Sequence, residues 1–520
     1  MTARVVLAKA HGAALLGVTG ILVEVEAARV GGLPRTTILG QASIEVREGR
    51  ERLGVALRAA GLWTGEEAIH PVILNLAPAG LRKAGTGLDL PMCLAVAALT
   101  DRSLAAALGR VVATAEVGLD GRLRPAPGTV AAAAAARERG FRAILVPPET
   151  AREAGAVGGL EVLPVDHLAA AVAVLRGRRE ALAPLPPEPP PAPARGLDLA
   201  DVRGQHLARR ALEVAAAGGH NLLLVGPPGS GKTMLARRLP SILPPLSREE
   251  ALEVTRIHSA AGLVPPGTAL FEHRPFRAPH HGASLAGLVG GGVPPRPGEV
   301  TLATHGVLFL DELPEFPRAL LEALRQPLED GEVAVVRAAG RVVFPARFVL
   351  VAAMNPCPCG WLGSGVRACR CSPRLRERYR GRVSGPLLDR IDLHVEVPAV
   401  RPEELEARAP GESSALVRER VVAARRVQLE RNRGVGAAAN ATLAPPALRQ
   451  VARPAPAAAR LLRDALARLG LSARSRDRVL RVARTLADLD GSERIEARHV
   501  AEAVRYRVLD RASGADPGER

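Results

Sequence analysis

Apolar positions along the chain follow three patterns, and each predicts a different kind of element. Strict alternation in ILVEVEA (21–27) predicts a half-buried strand, read as the first strand of the chain. NLLLVG (221–226), GVLFLDE (306–312) and FVLVAAMNP (348–356) hold short unbroken apolar runs, as expected of strands covered on both faces. HPVILNLAP (70–78) and AILVPPE (143–149) are strand-like runs between Ala-rich helical stretches, which predicts an α+β or α/β region at the start. β-Branched runs on either side of an Ala-Gly turn in GEVAVVRAAGRVVFPARF (331–348) predict a hairpin. Helical spacing marks VRGQHLARRALEVAAAGG (202–219), and from about 401 onward helix follows helix, most clearly in VRERVVAARRVQLERN (417–432) and SRDRVLRVARTLADL (475–489).

The proline-rich stretch LAPLPPEPPPAPARG (182–196) cannot join a core and marks a boundary. A chain of 520 residues holds about three domains of roughly 150 residues. The expected division is 1–178, a linker over 179–196, a nucleotide-binding α/β core over 197–400 and an all-helical region over 401–520. No apolar run reaches the roughly 18 residues that span a bilayer. The opening MTARVVLAKAHGAALLGVTGILVEVEA has a weak signal-like core without a small-residue cleavage site, so a cytoplasmic protein with no membrane partner is expected. Five cysteines, four of them clustered, do not form a secreted disulfide framework. The formal charge of +17 points to a polyanionic partner, tempered by a bias that leaves only three lysines in the chain.

Chemistry enters at GPPGSGKT (226–233), which fits the P-loop pattern between a buried strand and a helix. In the loop of Gly226, Pro227, Pro228, Gly229, Ser230 and Gly231, the glycines would let main-chain N–H groups close around phosphates. Lys232 would reach the β- and γ-phosphates, and the Thr233 hydroxyl would bind Mg²⁺. GVLFLDE then offers Asp311 to the magnesium shell and Glu312 to the attacking water. Asn355 ends another apolar strand and suits a role in orienting that water. Arg390, on the acid-flanked turn of SGPLLDRIDLHVEVP (384–398), is either an ordinary ion pair or a finger for a neighbouring subunit's γ-phosphate.

With these residues in order, the chain resembles the AAA+ ATPases, and within them the magnesium-chelatase-like branch typified by the bacterial ComM/YifB proteins. The likeness rests on 201–240, 274–316, NPCPCG (355–360), SGPLLDRID (384–392) and SARSRDRVLRVARTLADLDG (472–491), and covers nearly the whole chain. It implies an α/β fold: a P-loop ATPase core with ATP and Mg²⁺, an α+β N-terminal domain similar to the Lon proteolytic domain, and an all-helical C-terminal lid. It also implies sensor roles for Asn355 and Arg474, with Arg481 as a substitute, and a trans-acting finger at Arg390. Segment 256–300 is similar to this branch's helix-2 insert, and 331–348 to its pore hairpin, making Arg337 and Arg341 candidate DNA contacts. The Lon-like comparison rests on 75–99 and 116–133, where GTGLDLP lacks a serine and PGTVAAA lacks a lysine. A Ser-Lys mechanism needs both, so no peptidase activity is expected, and Lys83 reads as a surface charge.

RACRCSPRLRERYRGR (367–382) carries seven arginines against one acid, and Arg374, Arg376, Arg378 and Arg380 are candidate contacts to nucleic-acid phosphates. The resemblance then implies a homo-hexameric motor acting on single-stranded, forked or branched DNA, driving branch migration during natural transformation. The competing expectation is a chelatase-type motor that remodels a metal-inserting partner protein. Cys357, Cys359, Cys369 and Cys371 form two Cys-x-Cys pairs separated by nine residues. Such pairs suit a structural Zn²⁺ site, a thiol redox switch or turn cysteines, with zinc the leading reading. Cys93, in an apolar helix, reads as a core residue.

Overall fold

The computed structural model describes residues 6–30, 35–64, 71–186, 197–337, 340–365, 367–400, 411–470 and 472–507. Most of the proline linker (187–196), the hairpin tip (338–339), the side chain of Arg337 and the passage into the helical region (401–410) lie outside the described residues.

The first half of the chain supplies β1 (Val6–Leu16), β2 (Thr19–Arg29), β3 (Thr36–Leu39), β4 (Val72–Ala77), β5 (Val111–Ala113), β6 (Glu116–Val117), β7 (Leu123–Arg124), β8 (Ala143–Val146) and β9 (Glu161–Pro164). Seven of these form one mixed sheet in the order β3-β4-β2-β1-β5-β8-β9, and β6 pairs with β7. The alternating ILVEVEA segment lies in the second strand. The first is the preceding Val6–Leu16, whose weakly apolar run pairs with β2 antiparallel along its length. Helices Ile44–Ala59 and Asp89–Ala97 cover one sheet face and Thr129–Glu138 and Ala151–Ala156 the other. Cys93 is buried in the first of these cores.

Lys83 departs from its expected surface position: it is fully buried and its ammonium donates to the Pro78 carbonyl. Residue 83 pairs with Ala42 in an isolated bridge, which folds the chain over the side chain, and burial lowers its pKa.

The second half supplies β10 (Leu222–Val225), β11 (Phe276–Arg277), β12 (Val307–Leu310), β13 (Glu332–Arg337), β14 (Gly340–Pro345), β15 (Val349–Met354) and β16 (Leu393–Glu396). Five form a parallel sheet in the order β11-β12-β15-β10-β16, and β13 pairs with β14 as the expected hairpin. Leu222, Leu224, Val307 and Phe309 face one core, while Leu223, Val225, Leu308 and Leu310 face the other. That two-sided burial explains why these strands read as unbroken apolar runs. Segment 256–300 is not wholly an insertion, because Phe276–Arg277 is the edge strand of this sheet.

Beyond residue 411 the described elements are helices, among them Ser414–Asn432, Pro456–Leu469, Ala473–Leu489 and Ala497–Arg505. They share a continuous core with one face of the parallel sheet. His220 crosses that junction, placing one ring nitrogen 3.2 Å from Asp392 and the other 2.8 Å from the Thr485 hydroxyl.

Among the described residues, the N-terminal half meets the second half at the hairpin and along helix Arg248–Ala260 and the loop after it, where Gly267 N–H donates to the Glu149 carbonyl at 2.9 Å. The β1–β2 turn meets the hairpin: a Cβ on Gly17, at φ +66°, would lie 2.5 Å from Val342 Cγ1. Val18 joins the same buried cluster as Val333, Val335 and Phe344. The start of helix Thr129–Glu138 meets the end of helix Arg248–Ala260, where Gly128 N–H donates to the Ser259 carbonyl at 2.9 Å. Glu153 is buried behind this contact, facing the Thr129 and Ser259 hydroxyls, and burial raises its pKa to about 7.

The folded Glu153 carboxyl keeps its proton to about 7, whereas an unfolded one releases it near the ordinary 4.5. Folding therefore takes up a proton in that window, and its contribution to stability is lost as pH rises through it. Glu153→Gln should raise the melting temperature relative to wild type at pH 8 and leave it little changed at pH 5. A difference of equal size at both pH values would contradict this.

Candidate active site

Register fixes what meets at the carboxyl edge of the parallel sheet. Val225 aligns with Met354 on one side and Glu396 on the other, and Leu310 aligns with Ala352. The loop after β10, the two acids after β12 and Asn355 after β15 therefore emerge along one edge, where open parallel sheets bind ligands. β15 lies between the strands bearing the P-loop and the acids, which sets Asn355 between them.

The loop from Gly226 to Gly231 leads into helix Lys232–Ile242. Gly226 admits no side chain, since its Cβ would lie 2.1 Å from the Val397 carbonyl oxygen, and its N–H donates to Met354 O at 3.2 Å. Gly229 and Gly231 adopt φ of +75° and +89°. The Lys232 ammonium donates to the carbonyls of Gly226 and Pro227 at 2.7 and 2.8 Å and to Asn355 Oδ1 at 3.3 Å. Burial lowers its pKa, opposed by Asp311 and Glu312. This amine, held at a helix N-terminus with no side-chain cap, has the charge and position to exchange carbonyl partners for phosphate oxygens.

Thr233 Oγ1 donates to Asp311 Oδ2 at 2.7 Å. A hydroxyl and a carboxylate oxygen this close can share the shell of one Mg²⁺, a hard cation that takes oxygen donors, so the residues present fit that ion. Glu312 is exposed beside them with φ +52°, and its carboxylate stands 3.9 Å from the His281 ring nitrogen. The edge thus gathers an anion-binding loop, a magnesium pair, a free carboxylate for water and a neutral amide. These are the components of in-line phosphoryl transfer to water.

The arginines lie elsewhere. Arg390 pairs with Glu329 and donates to the Pro386 carbonyl at 2.7 Å, and Arg390 is the main cause of the lowered Glu329 pKa. Arg474, exposed at the start of its helix, also lowers that pKa through its charge. Among the described residues no hydrogen bond or ion pair joins either arginine to the 226–233 loop. Arg481 donates instead to the Leu443 carbonyl at 3.0 and 2.7 Å within the helical region.

Of the candidate nucleic-acid contacts, Arg341 is exposed on β14, and Arg374, Arg378 and Arg380 are exposed on helix Pro373–Arg380. Arg376 is half-buried, with its Nε unpartnered. The four cysteines converge: their sulfurs all lie within 4.8 Å of one another.

Several residues take part in the site in ways the sequence does not reveal. Gln205, at φ +52°, donates to the carbonyls of Ser230 and Pro398 at 3.2 and 2.7 Å, tying the P-loop to the strand beyond it. Tyr379 is buried with its hydroxyl facing the Asn355 main-chain N–H. His281 and Glu329 were also missed. Gln205, Tyr379 and His281 lie inside quoted segments and Glu329 just before one, but their partners are distant in sequence.

Lys232→Ala should weaken binding of a fluorescent ATP analogue by about ten-fold or more, whereas Glu312→Gln should bind it normally and lose turnover by about a hundred-fold. Normal hydrolysis by Glu312→Gln would contradict the assignment.

Comparison with known proteins agrees with this geometry. Residues 198–405 match the family described as magnesium chelatase, subunit ChlI; 411–507 match its C-terminal family; and 23–150 match the family described as subunit ChlI of Mg-chelatase. The chain is 44% identical to the Escherichia coli (strain K12) "Uncharacterized protein YifB" over 96% of its length and 97% of that protein's. It is 43% identical to the Salmonella typhimurium YifB over 97% of its length and 98% of that protein's. It is also 42% identical to "Competence protein ComM" of Haemophilus influenzae over 97% of its length and 98% of that protein's. With the nucleotide edge built as described and likeness running through the whole chain, this protein belongs to the ComM/YifB family of magnesium-chelatase-like AAA+ ATPases.

Proposed function

We propose that the protein is an ATP-driven motor of the branch-migration helicase or translocase type, working as a homo-hexamer that binds single-stranded, forked or branched DNA. A similar protein is named as a competence protein, and on that likeness the work served is recombination of incoming DNA during natural transformation. The observation that carries the reading is Tyr379. It belongs to the arginine helix Pro373–Arg380, yet its buried hydroxyl faces Asn355 beside Lys232. A phosphate backbone lying on Arg374, Arg378 and Arg380 would then be one side chain away from the nucleotide edge.

In this account Lys232 and Thr233 hold ATP and Mg²⁺ with Asp311, Glu312 activates the water and Asn355 orients it. Mg²⁺ would supply charge neutralisation on the transferring phosphoryl group. Arg390 serves a neighbouring subunit, because within its own chain it pairs with Glu329 rather than the P-loop. Arg474, whose charge also reaches Glu329, would act at the same subunit boundary. Residues 1–178 form a Lon-proteolytic-like domain without peptidase activity, 179–196 a linker, 197–400 the ATPase core and 401–520 the lid. Among the described residues no helix is long and apolar enough to cross a membrane. We take the site of action to be the cytoplasm, where DNA and free thiols coexist. The four cysteines hold a structural Zn²⁺.

Arg374, Arg378 and Arg380→Ala together should reduce the slope of log affinity against log salt by about 2 to 3 units on forked DNA. Basal ATP hydrolysis should persist. An unchanged salt slope would remove the arginine helix from the interface. Salt-insensitive binding by the wild type would favour the chelatase-type reading.

A further inference from the structure

The cysteine knuckle and the P-loop touch. Gly360, the residue after Cys359, has φ +81°, and a Cβ there would lie 2.5 Å from Pro228 Cδ and 2.8 Å from its Cγ. The knuckle backbone is therefore packed against the P-loop at a point where no side chain fits between them. From the other side, Met354 O accepts from Gly226 N–H at 3.2 Å, and Asn355 Oδ1 accepts from Lys232. The segment 354–360 thus holds the loop at its base, its lysine and its crest, and Cys357 and Cys359 belong to it.

The sulfurs have the dimensions of a metal site. Cys357 lies 3.4 Å from Cys359 and 3.7 Å from Cys369, and Cys359 lies 3.7 Å from Cys369. A tetrahedron of thiolates about 2.3 Å from zinc has edges of about 3.8 Å. Main-chain N–H groups of Trp361 and Arg370 face Cys359 Sγ, and those of Leu362 and Gly360 face Cys357 Sγ, the donors that hold thiolates in place. An all-sulfur set selects a borderline-soft tetrahedral cation over magnesium or calcium.

We propose that Cys357, Cys359, Cys369 and Cys371 bind one Zn²⁺, and that the metal-held knuckle fixes the P-loop through Gly360 and Pro228, so that zinc occupancy sets nucleotide affinity. Without the metal, the two Cys-x-Cys pairs lose the tie of four metal–sulfur bonds and keep weaker local contacts such as the Gly360 N–H to Cys357 O turn at 2.9 Å, the Ser364–Arg367 hydrogen bonds and Arg367 over the Trp361 ring. The P-loop then loses its support on that side. The inference rests on the 226–233 loop being the nucleotide site.

Untagged protein should contain about one zinc per chain by elemental analysis. Titration with an organomercurial, with a chromogenic chelator reading zinc release and Mg²⁺ kept in excess, should weaken binding of a fluorescent ATP analogue by about ten-fold. Thiol reductant plus added zinc should restore it. Gly360→Ala, which leaves all four thiols, should keep its zinc and bind the analogue more weakly. Circular dichroism and a thermal melt of each species separate loss of support from loss of fold.

Native protein with far less than one zinc per chain and four titrating thiols would overturn the metal site. Zinc released with analogue affinity unchanged, or Gly360→Ala with wild-type affinity, would overturn the coupling. Unaltered analogue binding by Lys232→Ala would instead strike the underlying nucleotide reading.

Discussion

The arrangement of the whole catalytic edge depends on the pairing of β10 with a parallel strand on each side. Val225 is held between Met354 and Glu396, and the chain must then leave the sheet through a glycine, because the Val397 carbonyl occupies the space of any Cβ. From that point the loop arches over the strand ends, with Gly226 N–H tied to Met354 O and Ser230 N–H to Pro227 O at 3.3 Å. The same pairing sets Asn355 level with the loop, and the next strand brings Asp311 to Thr233. Oxygen donors, amide and ammonium are thus positioned by main-chain register more than by side-chain packing. Substitutions at the strand ends should be less forgiving than those in the surrounding helices.

Around this edge the ATPase half is gripped by the helical region and by the N-terminal sheet. The helical region shares a core with one sheet face and is keyed to it by the His220–Asp392–Thr485 contacts. The N-terminal half holds the hairpin through Gly17 and Val18, and the helix Arg248–Ala260 through Gly128. Both docking points lie on elements that flank the nucleotide edge, so a movement of the hairpin must carry the N-terminal sheet with it or break a buried contact. That gives the N-terminal half a mechanical place in the molecule.

Much of the edge was legible because its information is local. A P-loop needs glycines at fixed offsets, a parallel strand needs an unbroken apolar run, and the hairpin needs β-branched runs about a turn. What was not legible depends on partners far along the chain. Lys83 looks solvent-facing beside Arg82 and becomes buried only because Ala42 pairs with it from a distant loop. The first strand was missed because Val6–Leu16 is broken by Lys9 and His11, which find partners only on β2 and beyond. Arg390 could be narrowed to ion pair or finger from its flanking acids, but its partner Glu329 lies 61 residues away. The four cysteines announced a cluster, while the contact that gives it meaning, Gly360 on Pro228, joins two motifs that the sequence presents separately.

The central claim is that ATP turnover on this edge is tied to DNA held by the neighbouring arginines. The most direct measurement is steady-state ATP hydrolysis by the wild-type protein across a titration of forked DNA, repeated at rising salt. The account predicts turnover that climbs several-fold with DNA and a stimulation that fades as salt screens the arginines. Turnover that stays flat at every DNA concentration, even at low salt, would contradict it.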